Sequence, residues 1–268
     1  MKDPEFDFKN YRYNESIQYT DTEILEKATL FSTQGSGCFL YRETNSSVYF
    51  YWAVDKLEDL LEALSSFSLK FPSKKVVIEF IPKALTAKLE QLGFNLECEY
   101  KDFWLEKLQE KRFEHCAEYH VREAKPDELG KAGLITARNE GRGFDALSEN
   151  EFKEWLSNDD SRIKAVELNG EVVGIAALRI YGQEQKILWI RVLAVDPDFH
   201  RMGIGRSILI DALCWGQNKQ AVKSFLATDI LNDNAIKMYQ NLGYKPDSEN
   251  SQINMCRKPL PKQELLEC

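Results

Sequence analysis

The sequence predicts an α/β protein built on a mixed sheet, with two domains in tandem. Three observations carry that prediction. The chain has 268 residues, 43% of them hydrophobic and 12% aromatic, enough to bury one large core or two smaller ones. Apolar runs of strand character alternate with segments of helical spacing along its length. Trp189 to Leu213 reads as an apolar strand, a Pro-marked turn, a loop with two glycines and an amphipathic helix in direct succession. The charged stretch Lys107 to Glu118 supplies the boundary: residues 1–112 form a first domain, 113–118 a linker and 119–268 a second domain.

In the first domain, Thr22 to Leu30 has helical spacing, and Cys38 to Arg42 and Val48 to Val54 read as strands. Leu57 to Leu69 is helical, Lys75 to Phe80 is a strand, and Pro82 to Leu92 is a helix stopped by Gly93-Phe94. Two further strands end near Leu105. Gly35-Ser36-Gly37-Cys38 offers no base partner for a nucleophile and reads as a turn before a strand.

The second domain opens with a strand near Glu118 to Glu123 and a helix over Asp127 to Asn139, ended by Gly141 and Gly143. Ser148-x-x-Glu151 is a capping box for a short helix carrying Phe152, Trp155 and Leu156. Ile163 to Leu168 and Val172 to Tyr181 flank Asn169-Gly170, the strongest short hairpin signal. Ile187 to Val195 is a nearly continuous apolar run, as expected of a strand covered on both faces. The helix from Gly203 buries Ile204, Ile208, Leu209, Ala212, Leu213 and Trp215. A strand over Ser224 to Thr228, a helix capped by Asn232 or Asp233 and ended at Gly243, and two strands near Tyr244 and Gln252 to Cys256 complete the order, with a tail from Pro259.

The two-glycine loop carries chemistry. A helix N-terminus presents unpaired backbone N–H groups and the positive end of the helix dipole, and glycines let phosphate oxygens come close. Gly203 to Ser207 therefore reads as an anion site for a phosphate-bearing cofactor. Arg206-Ser207 after the second glycine excludes a Walker loop, and Ile208 stands where a dinucleotide fingerprint needs a small residue.

Leu231 to Tyr244 then reads L-N-D-N-A-I-K-M-Y-Q-N-L-G-Y. Strand, two-glycine loop, helix, strand and N-x-x-A-x-x-x-Y-x-x-x-G-[FY], in that order over Tyr119 to Lys258, resemble the GNAT superfamily of N-acetyltransferases. The resemblance implies the GNAT-like acyl-CoA N-acyltransferase fold, and acetyl-CoA as co-substrate with a primary amine as acceptor. It also implies direct acyl transfer without a covalent enzyme intermediate. By it, the backbone at Leu193, Ala194 and Val195 pairs with the pantetheine arm. His200, Arg201, Met202, Gly203, Ile204, Gly205, Arg206 and Ser207 hold the pyrophosphate, and Asn234 lies along the pantetheine. Tyr239 protonates the departing thiolate. His200 departs from the family, which usually has Gln or Arg there; the cation Arg201 comes directly after it. The resemblance leaves a homodimer open.

Ala84 to Asn95 (A-L-T-A-K-L-E-Q-L-G-F-N) echoes Asn234 to Lys245, so the first domain reads as a degenerate copy of the second. Val54-Asp55-Lys56-Leu57 passes from strand to helix with no glycine loop, and Leu89 falls where the second domain has Tyr239. Such a copy has lost its chemistry and is structural or shapes the substrate entrance.

The general base is open among Glu140, Asp145, Asp229 and a water chain; each carboxylate also reads as a turn or capping residue. Arg191 reads as an edge-facing charge. A net charge of −8 without a basic cluster excludes nucleic acid as a partner. Six cysteines without paired spacing and three histidines suggest neither a zinc site nor a disulfide framework, and His115 and Cys116 read as exposed linker residues. No apolar leader or membrane-length run is present, so the expected location is the cytoplasm, away from membranes. Transfer of another acyl group from CoA, or a non-catalytic CoA-binding, regulatory or interaction module, are the alternative readings.

Overall fold

The computed structural model describes residues 10–20, 22–32, 37–113, 119–139 and 146–259. They pack as two compact units: one runs to Glu99 and resumes at Gln252, and the other is Tyr100–Ser251. Most of the linker read at 113–118 lies outside the described residues.

The first unit contains α1 (Glu15–Gln18), α2 (Thr22–Glu26), β1 (Thr29–Ser32), β2 (Gly37–Glu43), β3 (Ser47–Val54), α3 (Leu57–Lys70), β4 (Lys75–Ile78) and α4 (Thr86–Gln91). The helix expected over Thr22 to Leu30 stops at Glu26, because Thr29 and Leu30 pair with Tyr41 and Leu40 of β2; tertiary pairing outweighs local helical spacing. β2 and β3 are antiparallel, β3 and β4 parallel. Leu60, Leu64 and Phe67 recur at helical spacing on α3 and close a core with Phe50, Val76 and Ile78.

The second unit contains β6 (Val121–Glu123), α5 (Leu129–Ala137), α6 (Glu149–Leu156), β7 (Ser161–Leu168), β8 (Glu171–Tyr181), β9 (Ile187–Val195), α7 (Ile204–Asn218), β10 (Lys223–Asp229) and α8 (Asp233–Asn241). Asn169 and Gly170 both take positive φ, 52° and 83°, and join β7 to β8 as the hairpin signal requires. The Ser148–Glu151 capping box forms at α6. One sheet face packs on α7, with Ile204, Ile208, Leu209, Ala212 and Leu213 buried; α5 and α6 cover part of the other through Leu129, Ile135, Phe152 and Trp155.

Two strands are longer than the sequence suggests. β5 (Asn95–Leu105) and β11 (Lys245–Arg257) are each continuous where two strands were expected. Polar tracts such as Glu97 to Asp102 interrupt the apolar alternation without interrupting the backbone ladder. In the second unit β10 pairs antiparallel with β5, from Ser224–Leu105 to Asp229–Tyr100. In the first unit β4 pairs antiparallel with the end of β11, from Met255–Ile78 to Arg257–Val76. Each unit's parallel pair is thus closed by a strand from the other half of the sequence. Met255 is fully buried in the first unit's core, and the Arg257 guanidinium donates to Ser68 O and Phe71 O at the end of α3.

Candidate functional site

The site begins with an extra residue. Ala177 of β8 pairs with Val192, but the next residue, Leu178, pairs with Ile190, so Arg191 is a β-bulge in β9. The bulge exchanges the faces of the strand. Leu188, Ile190, Leu193 and Val195 belong to the α7 side, whereas Trp189, Val192 and Ala194 pack with α5 and α6. This is why the strand reads as apolar throughout. The parallel ladder with β10 covers only Ile187–Lys223, Leu188–Ser224 and Trp189–Phe225 and ends two residues short of the bulge. A cavity of about 510 Å³ opens there, lined by Leu193 and Val195 of β9 and by Leu226, Ala227 and Thr228 of β10.

At one end of the cavity stands the start of α7. Gly203 is its N-cap at φ 82°, a conformation glycine adopts without steric cost. Arg201 is also left-handed, at φ 64°. The Ser207 N–H donates to Gly203 O at 3.0 Å, so the donors without a partner inside the helix are those of Gly203, Ile204, Gly205 and Arg206. Ser207 is buried, its hydroxyl turned back to Gly203 O. Arg201 and Arg206 add exposed cations beside these donors. α7 is held close to the sheet at Gly174, where a Cβ would fall 2.9 Å from both Ile204 and Ile208 side chains. The loop is tied back too: the Val195 carbonyl accepts from Asn139 Nδ2 at 3.0 Å and lies 2.8 Å from His200 Nε2.

Tyr239 of α8 lines the cavity and is 6% exposed. Burial raises its phenol above the usual range, so it keeps its proton at neutral pH. Among the described residues its hydroxyl has no hydrogen-bond partner. The neighbouring Tyr244 ring, 6.1 Å away, differs: its hydroxyl shares a 2.8 Å hydrogen bond with Ser224 Oγ.

Of the residues singled out in the sequence, Leu193, Val195, His200, Arg201, Gly203, Ile204, Gly205, Arg206, Asn234 and Tyr239 meet at this one cavity. Ala194 is buried on the opposite face, Met202 is 45% exposed, and neither they nor Ser207 form its wall. Glu140 and Asp145 lie outside the described residues. Asp229 caps its own turn, accepting from Leu231 N–H at 2.7 Å. Sequence reasoning missed Asn139, Met238 and the bulge at Arg191, all of which line the cavity. A single charge inside an otherwise apolar strand was the available signal for the bulge. Among the described residues no cluster of His, Cys, Asp and Glu could hold a metal, and no helix is long and apolar enough to cross a membrane.

Residues 131–244 match the family model described as Acetyltransferase (GNAT) family. No curated protein matches the chain. Among solved structures, a GCN5-related N-acetyltransferase from Sphaerobacter thermophilus superposes with a TM-score of 0.62 at 11% identity, over 84% of this chain and 78% of that one. A GCN5-related N-acetyltransferase from Kribbella flavida gives 0.54 at 14%, over 87% and 91%. A conserved protein of unknown function from Staphylococcus epidermidis gives 0.54 at 16%, over 90% and 98%. At these identities the likeness is one of fold. It extends over most of the chain, well beyond residues 131–244, and the protein has a GNAT-like fold.

Proposed function

We propose that this protein, whose residues 131–244 carry a GNAT-family domain, is an N-acetyltransferase that moves an acetyl group from acetyl-CoA to a primary amine. Family and fold support acyl transfer; the cavity supports the finer reading. The observation that carries it is one cleft with helix-end backbone donors and two arginines at one end and, in its wall, a protonated phenol with no hydrogen-bond partner among the described residues.

On this reading Gly203, Ile204, Gly205 and Arg206 bind the pyrophosphate through N–H groups, helped by Arg201 and the helix dipole. The pantetheine lies along Leu193 to Val195, past Asn234, where β9 has parted from β10. The neutral amine attacks the thioester carbonyl, a C–N bond forms and the nitrogen gives its extra proton to water in the cleft, the C–S bond breaks, and the sulfur leaves as a thiolate. Tyr239 donates to that sulfur; Tyr244 has already committed its hydroxyl to Ser224. A phenol raised by burial is a weak acid, so much of its contribution is a hydrogen bond that strengthens as charge grows on sulfur. His200 serves the loop through its contact with Val195 O and leaves the cationic role to Arg201 and Arg206.

The first unit, with Leu89 fully buried in its core, is on this reading a copy without a cofactor site. The test of the function is release of CoA thiol from acetyl-CoA with a panel of primary amines. Acetyl-CoA binding without thiol release for any amine would favour the non-catalytic module instead.

A further inference from the structure

The bulge residue is a cation with no counter-charge among the described residues. The Arg191 guanidinium lies 5.1 Å from the Trp155 ring centroid and 5.9 Å from that of Trp189, on the α5–α6 side of the sheet, and it lines the cavity. Among the described residues it has no ion pair and no hydrogen-bond acceptor. The other half-buried arginines of the second unit do: Arg122 holds Glu128 and Glu167, Arg162 holds Glu123, and Arg179 donates to Ser161 Oγ. Stacking on tryptophan occupies the face of a guanidinium and leaves its in-plane N–H groups to bind an oxyanion. A half-buried guanidinium without an acceptor gives up hydration that such a ligand restores.

The same face of the sheet also carries a carboxylate. Ala227 lines the cavity, and Asp102 of β5 stands directly opposite it in the β10–β5 ladder. Cross-strand partners project on the same face, so Asp102 shares the face of Arg191, away from α7. Burial, then the nearby Asp247, raises the Asp102 carboxyl above its ordinary range. The rings of Trp189, Phe225 and Trp104 stack across β9, β10 and β5 in the row beside them, two residues away along each strand, with centroids 5.8 Å and 4.9 Å apart.

We infer that the acceptor is an amine that also carries a carboxylate, with the carboxylate on Arg191 and the amine turned toward Asp102, alongside the aromatic row. This rests on the acetyltransferase reading and names its substrate class. A carboxylate on the acyl group of a dicarboxylic acyl-CoA would use the same chemistry at Arg191. The position of Arg191 on the face away from α7 assigns the anion to the acceptor.

The experiment is steady-state acetyl transfer by the full chain to matched amines: phenylalanine, leucine and lysine, each against its methyl ester and its decarboxylated amine. It is run on the wild type, Arg191→Gln and Arg191→Lys, with acetyl-CoA and with succinyl-CoA. We expect the free acids to exceed their esters in kcat/KM by at least about tenfold, the order of one charge-assisted hydrogen bond. In Arg191→Gln that preference disappears through the acceptor KM while the KM for acetyl-CoA holds, and Arg191→Lys restores part of it. Esters used as well as acids, or a preference that survives Arg191→Gln, would overturn the inference and leave the acetyltransferase reading standing. So would a loss confined to the KM for succinyl-CoA. Acetyl-CoA binding measured by calorimetry with no transfer to any amine would overturn both.

Discussion

The two units make the same passage, from strand through helix to parallel strand, and only one of them opens. In the second unit β9 parts from β10 after Trp189–Phe225, a bulge comes next, and Gly203 turns the chain into α7 at φ 82°. In the first unit the ladder of β3 with β4 ends at the corresponding place, Phe50–Ile78. Beyond that point the two strands differ. Val54 exchanges backbone hydrogen bonds with Tyr13, Trp52 N–H donates to Ser16 Oγ, and Asp55 accepts from Arg12 N–H. The chain's own N-terminal segment thus occupies the strand end that the second unit leaves open. Phe50 to Val54 are all buried, and α3 starts from Lys56 in extended conformation with no left-handed turn. On the proposed function, a parallel crossover alone does not make a cofactor site; a parted strand and an open helix end together do.

The largest effect should come from blocking that helix end. A Cβ at Gly205 meets nothing closer than 3.6 Å, the Val195 side chain, so the fold tolerates a side chain there. Gly205→Glu puts a like charge among the phosphate donors and should abolish acetyl-CoA binding in calorimetry while leaving the circular dichroism spectrum unchanged. The wild type should bind one acetyl-CoA per chain. A second equivalent would break the contrast between the units, as would undiminished affinity in the folded variant.

Tyr239→Phe keeps the ring packing against Phe103 and Tyr244 and deletes only the hydroxyl. General-acid groups contribute about 10²–10⁴-fold, so turnover should fall by that order with acetyl-CoA affinity retained. Wild-type turnover under chemistry-limited conditions would remove Tyr239 from the mechanism. Leu89 in the first unit has no such assignment, and its substitution should register as lost stability.

The exchange of closing strands predicts where stability is stored. Met255 stands near the end of the chain, yet it is fully buried in the first unit. Met255→Ala should cost about 2–5 kcal/mol, the range for truncating a buried Met, Leu or Ile, read as a lower unfolding midpoint with acetyl-CoA affinity little changed. A cost below about 0.5 kcal/mol, the level of an ordinary surface substitution, would show that β11 adds nothing to that core. By the same topology, cutting the chain after residue 112 removes β5 from β10.

The signals in the sequence that proved legible are local ones. The Asn169-Gly170 turn, the Ser148 capping box and the burial stripe of α7 are written in adjacent residues or at helical spacing, and the structure has each of them. The glycine loop and Tyr239 stand out in the sequence because their spacing is itself the motif, and the structure brings them to one cavity. What was hidden depends on partners far away in the chain. Nothing near Glu97 or Asn254 tells which strand pairs with β10 or β4, and a polar tract inside a strand looks like a break. The bulge at Arg191 is defined only by its register against β8. Asn139 reads as a helix-end residue until its amide is seen to hold the carbonyl of Val195.

The smallest effect should separate the two strand-to-helix turns themselves. Gly203 sits at φ 82° and Lys56 at φ −130°. A Cβ in the left-handed region costs about 1–2 kcal/mol, whereas a residue already extended pays nothing of the kind. Gly203→Ala should therefore lower the unfolding midpoint and also weaken acetyl-CoA binding severalfold, since relaxing the turn moves the donors of Ile204 and Gly205. Lys56→Ala should change stability by no more than about 0.5 kcal/mol, as exposed positions do, and leave acetyl-CoA affinity alone. If both substitutions prove equally mild for stability and binding, the left-handed turn is dispensable and the parted strand alone distinguishes the open unit from the closed one.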